Sequence, residues 1–246
     1  TGAVLTAEGG ELGYARLSGV GEAGSDAFSL MLAGSAQVSD GWVAVRDGRG
    51  LADVPLASDS IAGVARAEWR GDRLVFSARV GAYSEWRSAG LAGAESTSEG
   101  ASVSMTLAAP RGPFAWRVQT WFMDSDLANS SVSVAAGRNT TTPANDQYAT
   151  PATGWGANAA MRWSSDAGGI EIGADLRTAE GETRELFSFM SGAFTRSRIA
   201  GGRTLTGGVY MEGWRETGDW VLTGGIRADV TRAEDGRRIE RLLATG

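Results

Sequence analysis

Along most of this chain apolar and polar residues alternate with a period of two, not 3.6, which predicts β-strands exposed to different surroundings on their two faces. From Ile61 to Trp69, one face reads Ile61, Gly63, Ala65, Ala67, Trp69 and the other Ala62, Val64, Arg66, Glu68, Arg70. Arg70-Gly71-Asp72-Arg73 then reads as a tight turn, since Gly and Asp suit turns; that outweighs an adhesion tripeptide as its meaning. The next run sets Leu74, Phe76, Ala78, Val80 and Ala82 against Val75, Ser77, Arg79, Gly81, Tyr83 and Glu85. The same alternation recurs over 28–38, 102–109, 114–122, 157–163, 170–177 and 220–230, and more weakly over 4–8, 13–19 and 204–214. The pattern predicts about eleven antiparallel strands.

Connections between these runs alternate in length. Short turns are expected at 19–25, 70–73, 110–113, 164–169 and 215–219, and long polar loops near 41–60, 87–100, 124–153 and 180–203. Short turns on one rim and long loops on the other are the plan of an outer-membrane β-barrel, with an apolar face toward lipid and a polar face toward a wet lumen. Trp69, Phe114, Trp116, Trp163 and Trp220 fall on the apolar face beside short turns, where an aromatic girdle belongs. Arg66, Glu68, Arg79, Glu85, Arg117, Arg162, Asp175, Arg177, Arg227 and Asp229 fall on the other face. So many charges would be costly in a dry core but not in a water-filled lumen. Glycines fall on strands at 34, 63, 81, 173 and 225, where small residues suit a wide, curved, lipid-facing wall. The fold class expected is therefore all-β, an antiparallel transmembrane β-barrel.

Composition removes most other readings. The 246 residues include 36 Gly, 5 Pro and 9 Trp, with no Cys and no His, and all 23 basic residues are Arg. Without Cys there is no disulfide framework and no thiol nucleophile. Without His there is no Ser-His-Asp triad and no imidazole metal ligand. Without Lys there is neither a Walker A lysine nor a Schiff base. The net charge of −6 argues against a nucleic-acid partner. No enzyme and no cofactor are expected. No run approaches the ~18 apolar residues of a membrane helix, which leaves a barrel open. Gly19-Val20-Gly21-Glu22-Ala23-Gly24 fits G-x-G-x-x-G, but it lies between strand patterns rather than before a helix and reads as a turn. Asp124, Asp126 and Asp146 are oxygen donors for a Ca²⁺ ion, without the loop spacing that such a site uses. Glu182 with Glu185, and Asp124 with Asp126, are paired carboxylates that lack any second catalytic feature and read as solvated charge.

The sequence starts Thr1-Gly2-Ala3-Val4, without an initiator Met or a signal-peptide pattern, and ends Leu242-Leu243-Ala244-Thr245-Gly246, which reads as the start of another loop. An odd strand count cannot close a single-chain bacterial barrel. The expectation is a piece of a barrel whose open edges require complementary strands, because lipid does not tolerate unpaired edges.

Four segments resemble the TonB-dependent outer-membrane receptors. Ser39-Asp40-Gly41-Trp42 is similar to the family's s-D-G-aromatic strand end. Gly173-Ala174-Asp175-Leu176-Arg177 with Gly181-Glu182-Thr183-Arg184-Glu185 resembles G-A-D-x-R … G-x-T-x-E. Phe194-Thr195-Arg196-Ser197-Arg198-Ile199-Ala200-Gly201-Gly202 resembles T-R-x-R-x-A-G-G. Gly208-Val209-Tyr210-Met211-Glu212 followed by Trp220 to Asp229 is similar to the hairpin G-x-Y-x-Q-D-x-W … W-x-L-T-x-G-x-R-x-D, except that Gly213 stands where the family has an acidic residue. The resemblance implies the first half of a 22-stranded barrel, with the plug domain and remaining strands lying outside 1–246. It implies energised uptake of a scarce large nutrient such as a siderophore, cobalamin or an oligosaccharide, with TonB acting through the plug. Outer-membrane lipid, lipopolysaccharide, the plug and the second half of the barrel are the partners it implies, and the bacterial outer membrane the location. A passive porin, or a secreted β-rich adhesin, is the alternative.

Within this frame the loop aromatics and arginines are the candidate ligand contacts: Trp42, Arg46, Arg49, Trp86, Arg87, Arg138, Tyr148, Arg184, Phe187, Arg196 and Arg198. Arginine forks suit anionic ligands and aromatic rings give flat contact area. The competing reading is loop-on-loop packing and contact with anionic lipopolysaccharide.

Overall fold

In the computed structural model, which describes residues 1–243, the strands are β1 (Gly2–Gly9), β2 (Ala15–Gly24), β3 (Phe28–Ser39), β4 (Ser58–Arg70), β5 (Val75–Leu91) and β6 (Ala94–Ala109). There follow β7 (Phe114–Val134), β8 (Thr141–Ala149), β9 (Ala152–Ser165), β10 (Gly168–Met190), β11 (Ala193–Thr217) and β12 (Trp220–Leu242). All belong to one antiparallel sheet in which consecutive strands pair, except β8 with β9. β8 and β9 share one lane between β7 and β10, so twelve strand segments fill eleven positions. The break between them falls at Thr150-Pro151, where proline has no N–H to give the ladder. The Thr150 N–H donates instead to Asp126 Oδ1 at 2.6 Å, and the Pro151 carbonyl accepts from Glu182 N–H at 3.1 Å.

Register fixes the faces. Phe28, Trp69, Phe76, Leu107, Val118, Ala159, Ala174, Val209 and Ala228 share one face, the band face. Near the short-turn rim the band starts with aromatics, and Phe114 and Trp163 stand with ring centroids 5.1 Å apart. Near its other end Phe122 faces Trp155. Trp155 and Trp163 are eight positions apart. That is about 27 Å of strand, which a tilt of about 40° turns into a band about 20 Å tall. There is no hydrophobic core in the ordinary sense. Among the described residues the buried apolar side chains are Ala52, Ala94, Ala115 and Ala160, whereas Val118 is 46% and Ile226 70% exposed. A single layer with so much apolar surface on one face is built to be covered from outside.

Several expectations change. Only residues 40–57 form a long irregular connection on the far rim; the stretches expected as loops at 87–100, 124–153 and 180–203 are mostly strand, turning tightly at 92–93, 135–140 and 191–192. Above the band both faces are polar, so the apolar alternation that marks a strand disappears while backbone pairing continues. The segment 19–24 is strand, not turn: β2 runs to Gly24, and the turns flanking it are at 10–14 and 25–27. Of the five strand glycines, Gly34 and Gly63 do lie on the band face, opposite each other. Gly81, Gly173 and Gly225 lie on the polar face instead, beside Arg79, Asp175 and Arg227 in the alternation. At Gly173 the Tyr210 ring lies across the backbone: a methyl there would sit 2.6 Å from Cζ and 2.7 Å from the hydroxyl oxygen. Leu242 ends β12; the loop expected after it includes 244–246, which lie outside the described residues.

Candidate functional site

The long-connection rim carries every candidate ligand residue, and two structures organise it. The first is a latch on the 40–57 connection. Its start, Ser39-Asp40-Gly41-Trp42, has a local explanation: Asp40 N–H donates to Leu12 O at 2.8 Å, and Gly41 has φ +67° with its α-carbon against the Leu56 backbone, which no larger residue would fit. The Leu56 N–H then donates to Trp42 O at 2.9 Å, closing the connection on itself. Farther along, the chain docks on two hairpin tips. Val54 N–H donates to Gly90 O at 3.2 Å, and Ala92 N–H to Ala52 O at 2.9 Å, on the β5–β6 turn. Ala52 N–H donates to Arg138 O at 2.9 Å on the β7–β8 turn. The Asp53 side chain, fully shielded, receives both arms of Arg138, with Nε 3.1 Å from Oδ1 and 2.9 Å from Oδ2, and the Gly50 N–H at 2.9 Å. The Arg138 hydrogen bonds first, and the Gly50 N–H second, hold the Asp53 carboxyl down at about 2.

The second is a polar-face cluster on β10–β12. Glu185, 8% exposed, accepts from Asn145 Nδ2 at 2.6 Å and pairs with Arg198 Nε. Arg198 stands over the Phe187 ring, 4.9 Å from its centroid, and reaches Glu240 Oε1 at 3.4 Å; Arg238 holds the same carboxylate at 2.6 Å. Arg196 lies opposite Phe187 in the register and is exposed. An aromatic face, a partly neutralised guanidinium and one without an ion pair among the described residues therefore sit side by side on the polar face. This can offer flat contact area and a fork for an anion.

The eleven candidates divide accordingly. Phe187, Arg196 and Arg198 are brought together. Arg87, paired with Glu85, is on the same face of β5, and Trp42, Arg46 and Arg49 are exposed on the 40–57 connection. Tyr148 lies on β8 just before its break, 47% exposed. Trp86 and Arg184 are turned to the band face, opposite to that cluster: Trp86 Nε1 donates to Glu95 at 3.1 Å, and Arg184 pairs with Glu182 at 2.6 Å. The period-two pleat separates Arg184 from Glu185, a distinction that is invisible once both are read as loop. Arg138 is committed to the latch. Asp53, Asn145, Arg238 and Glu240 join these sites without standing out in the sequence; Glu185, read there as solvated charge beside Glu182, joins them too, and its parity with Phe187 is the signal that separates it from Glu182. Of the possible calcium ligands, Asp126 is engaged by Thr150 N–H and by Leu127 N–H at 2.8 Å. Among the described residues no three carboxylates gather closely enough to hold a metal.

No family model and no curated protein sequence matches the chain. Solved structures do. The chain resembles the P. aeruginosa FpvA, solved with an iron-bound pyoverdine, at a TM-score of 0.71 and 10% identity, covering 98% of this chain and 39% of that one. It resembles the copper transporter OprC at 0.66 and 15%, over 97% and 40%. It resembles the FrpB iron transporter from Neisseria meningitidis at 0.65 and 14%, over 98% and 42%. These are TonB-dependent receptors, and the match is to their barrel. The chain spans about two-fifths of the length of the structures it resembles.

Proposed function

We propose that this chain, which has the barrel fold of the TonB-dependent receptors, is part of the wall of such a transporter in a bacterial outer membrane. In this reading the band face meets lipid and the polar face lines the lumen. The observation that carries it is the whole-chain fold match combined with an apolar band about 20 Å tall, close to the ~25 Å of outer-membrane barrels. Among the described residues β1 and β12 each pair on one side only, so in this reading closure takes further strands, and a plug inside the lumen would engage TonB. The chain performs no chemistry; it supplies wall and rim. The cargo is a scarce large nutrient: a siderophore or another metal chelate, in line with the iron and copper carriers it resembles, or cobalamin or an oligosaccharide. Phe187, Arg196 and Arg198, with Arg87, Trp42, Arg46 and Arg49 around the same rim, are the proposed ligand contacts, and an anionic cargo with flat rings suits them best. Trp86, Arg138, Tyr148 and Arg184 are better assigned to the wall and its packing.

The test is uptake by cells that carry the full-length receptor as their one route, supplied with radiolabelled ferric chelates in parallel. Uptake of one of them should stop when a protonophore collapses the inner-membrane gradient, and Arg196→Ala/Arg198→Ala should weaken its binding. Uptake that continues without the gradient would make the protein a porin and overturn the proposal.

A further inference from the structure

Below the rim cluster the polar face goes bare, and then arginine returns. From β3 to β11 two successive register rows carry no charged side chain; they include Gly81 and Tyr83 on β5, Gly154 on β9, Ala179 and Gly181 on β10 and Thr204 on β11. The next row toward the short-turn rim, followed from β3 to β12, holds Arg66, Arg79 and Arg177 and no carboxylate. All three arginines are exposed. Trp121 stands in the same row between Arg79 and Arg177, and its indole lies across Gly156: a methyl there would sit 2.8 Å from Cε2 and from Nε1. A hollow of about 560 Å³ opens on the bare belt above Arg79, bounded also by Tyr83, Met123 and Ser125.

The fold does not balance this row. Arg79 faces Arg66 across the β4–β5 ladder, and like charges directly opposite each other destabilise a sheet. Glu68, one row lower, is taken by Arg66 at 2.8 Å and by Arg70. Asp175, two residues before Arg177, is taken by Arg227 at 2.7 Å. Arg79 and Arg177 form no ion pair among the described residues. An anion arriving through the lumen would offset the unbalanced charge, and guanidinium forks suit its oxygens through charge-assisted hydrogen bonds. Four lanes of the sheet separate Arg79 from Arg177. That is about 19 Å, a span for a large molecule rather than a single small ion.

The chemistry repeats that of Phe187 with Arg196 and Arg198: an aromatic ring with guanidinium groups beside it. Arg177 lies ten residues down β10 from Phe187. That is about 33 Å of strand, which the tilt turns into about 25 Å of depth. We infer that Arg79, Trp121 and Arg177 form a second station for the cargo, deeper in the lumen, where the flat-ringed anion released from the rim is held during passage. The belt between the two stations offers no charge to stop it on the way. This inference rests on the transporter reading proposed above.

The test uses cells whose one route for ferric chelates is the full-length receptor, after gel mobility has shown that each variant folds. The probe is a radiolabelled ferric tris-catecholate, a flat-ringed anion. Surface binding is read in protonophore-treated cells, and uptake in energised cells with the chelate saturating. Arg79→Gln/Arg177→Gln should leave the surface Kd unchanged and slow uptake about tenfold, the equivalent of one lost charge-assisted hydrogen bond. Arg79→Lys/Arg177→Lys should restore most of the rate, whereas Arg196→Ala/Arg198→Ala should raise the Kd. An unchanged rate in the Gln variant would overturn the inference, as would a Kd that rises along with the loss of rate, which would merge the two stations into one. So would entry of a large antibiotic into the Gln variant without chelate, which would mean that these arginines hold a plug rather than cargo. Wild-type cells that neither bind nor import the chelate would refute the cargo reading itself, a result separate from all of these.

Discussion

Replacing Gly173 by valine should destabilise the barrel through a single partner, Tyr210. The two residues face each other across β10 and β11 on the polar face, and the Tyr210 hydroxyl donates to Glu171 Oε1 at 2.7 Å. A side chain at 173 occupies the space of the phenol ring, with the added carbon 2.6 Å from Cζ. The ring must leave. Crowding of this kind costs about 1–3 kcal/mol. Losing a hydrogen bond to a carboxylate adds about 1.5–3 kcal/mol, for a total of about 2–5 kcal/mol once the better strand propensity of valine is deducted. In a Tyr210→Ala background the obstacle is gone, and Gly173→Val should be neutral or stabilise by a few tenths of a kcal/mol. The double-mutant cycle should therefore show coupling of about 2–5 kcal/mol. Guanidinium unfolding of the full-length receptor in lipid vesicles, followed by tryptophan fluorescence, measures all four corners. Additive costs would refute the idea that this glycine exists to seat that ring.

The geometry sets three further outcomes. Asp53, held at about 2, is depressed below its ordinary value of 3.8, so its contribution to the latch is complete above that value and disappears as pH falls through about 2. Pepsin should accordingly begin to cut the 40–57 connection only as pH drops from about 4 toward 2, whereas Asp53→Asn should be cut equally across that range; equal resistance of both would refute the latch. Val118→Arg, in the middle of the band face, should cost about 2–4 kcal/mol in bilayers, whereas Gln119→Arg, one residue on and facing the polar side, should cost under about 1 kcal/mol, with vesicle refolding yields as the check. Asp126→Ala removes the acceptor of the Thr150 N–H at the break between β8 and β9, and hydrogen exchange over 141–149 should speed up about tenfold, the equivalent of one lost hydrogen bond.

The architecture is readable wherever one face meets an apolar phase and the other meets water. In 61–69 or 220–230 every second residue reports its surroundings, so strand, face and register parity can be read from the sequence. That signal ends where the band ends. From Glu95 to Glu99, or Glu180 to Glu185, both faces are polar, and Ser, Thr, Glu and Arg in strand look like the same residues in loop. The ladders nevertheless continue to Leu91, Val134 and Met190, because an already paired neighbour makes each further backbone bond local and inexpensive. Pro151 misleads for the opposite reason: it signals an interruption, and the sheet absorbs it within one lane by giving the Thr150 N–H a side-chain acceptor 24 residues away.

At the rim, mistaking strand for loop changes which side chains can act together. In a loop, neighbouring residues can converge on one ligand, so Arg184, Phe187, Arg196 and Arg198 make one candidate set. In a strand, parity decides. Phe187 and Arg198 meet on the polar face, while Arg184, three residues before Phe187, is turned away toward Glu182 and Arg237. Arg138 depends on a partner 85 residues away, Asp53, and no local pattern announces such a pair. The two kinds of arginine differ in what they can do. Those whose carboxylates are supplied by the fold, such as Arg138 and Arg227, fix geometry and have no fork left to offer. Arg196 on the polar face, without such a carboxylate among the described residues, keeps its donors available. A protein whose every basic side chain is arginine can thus use one residue type as staple and as hook, the role set by which side of a single-layer sheet it stands on and whether an acid stands beside it.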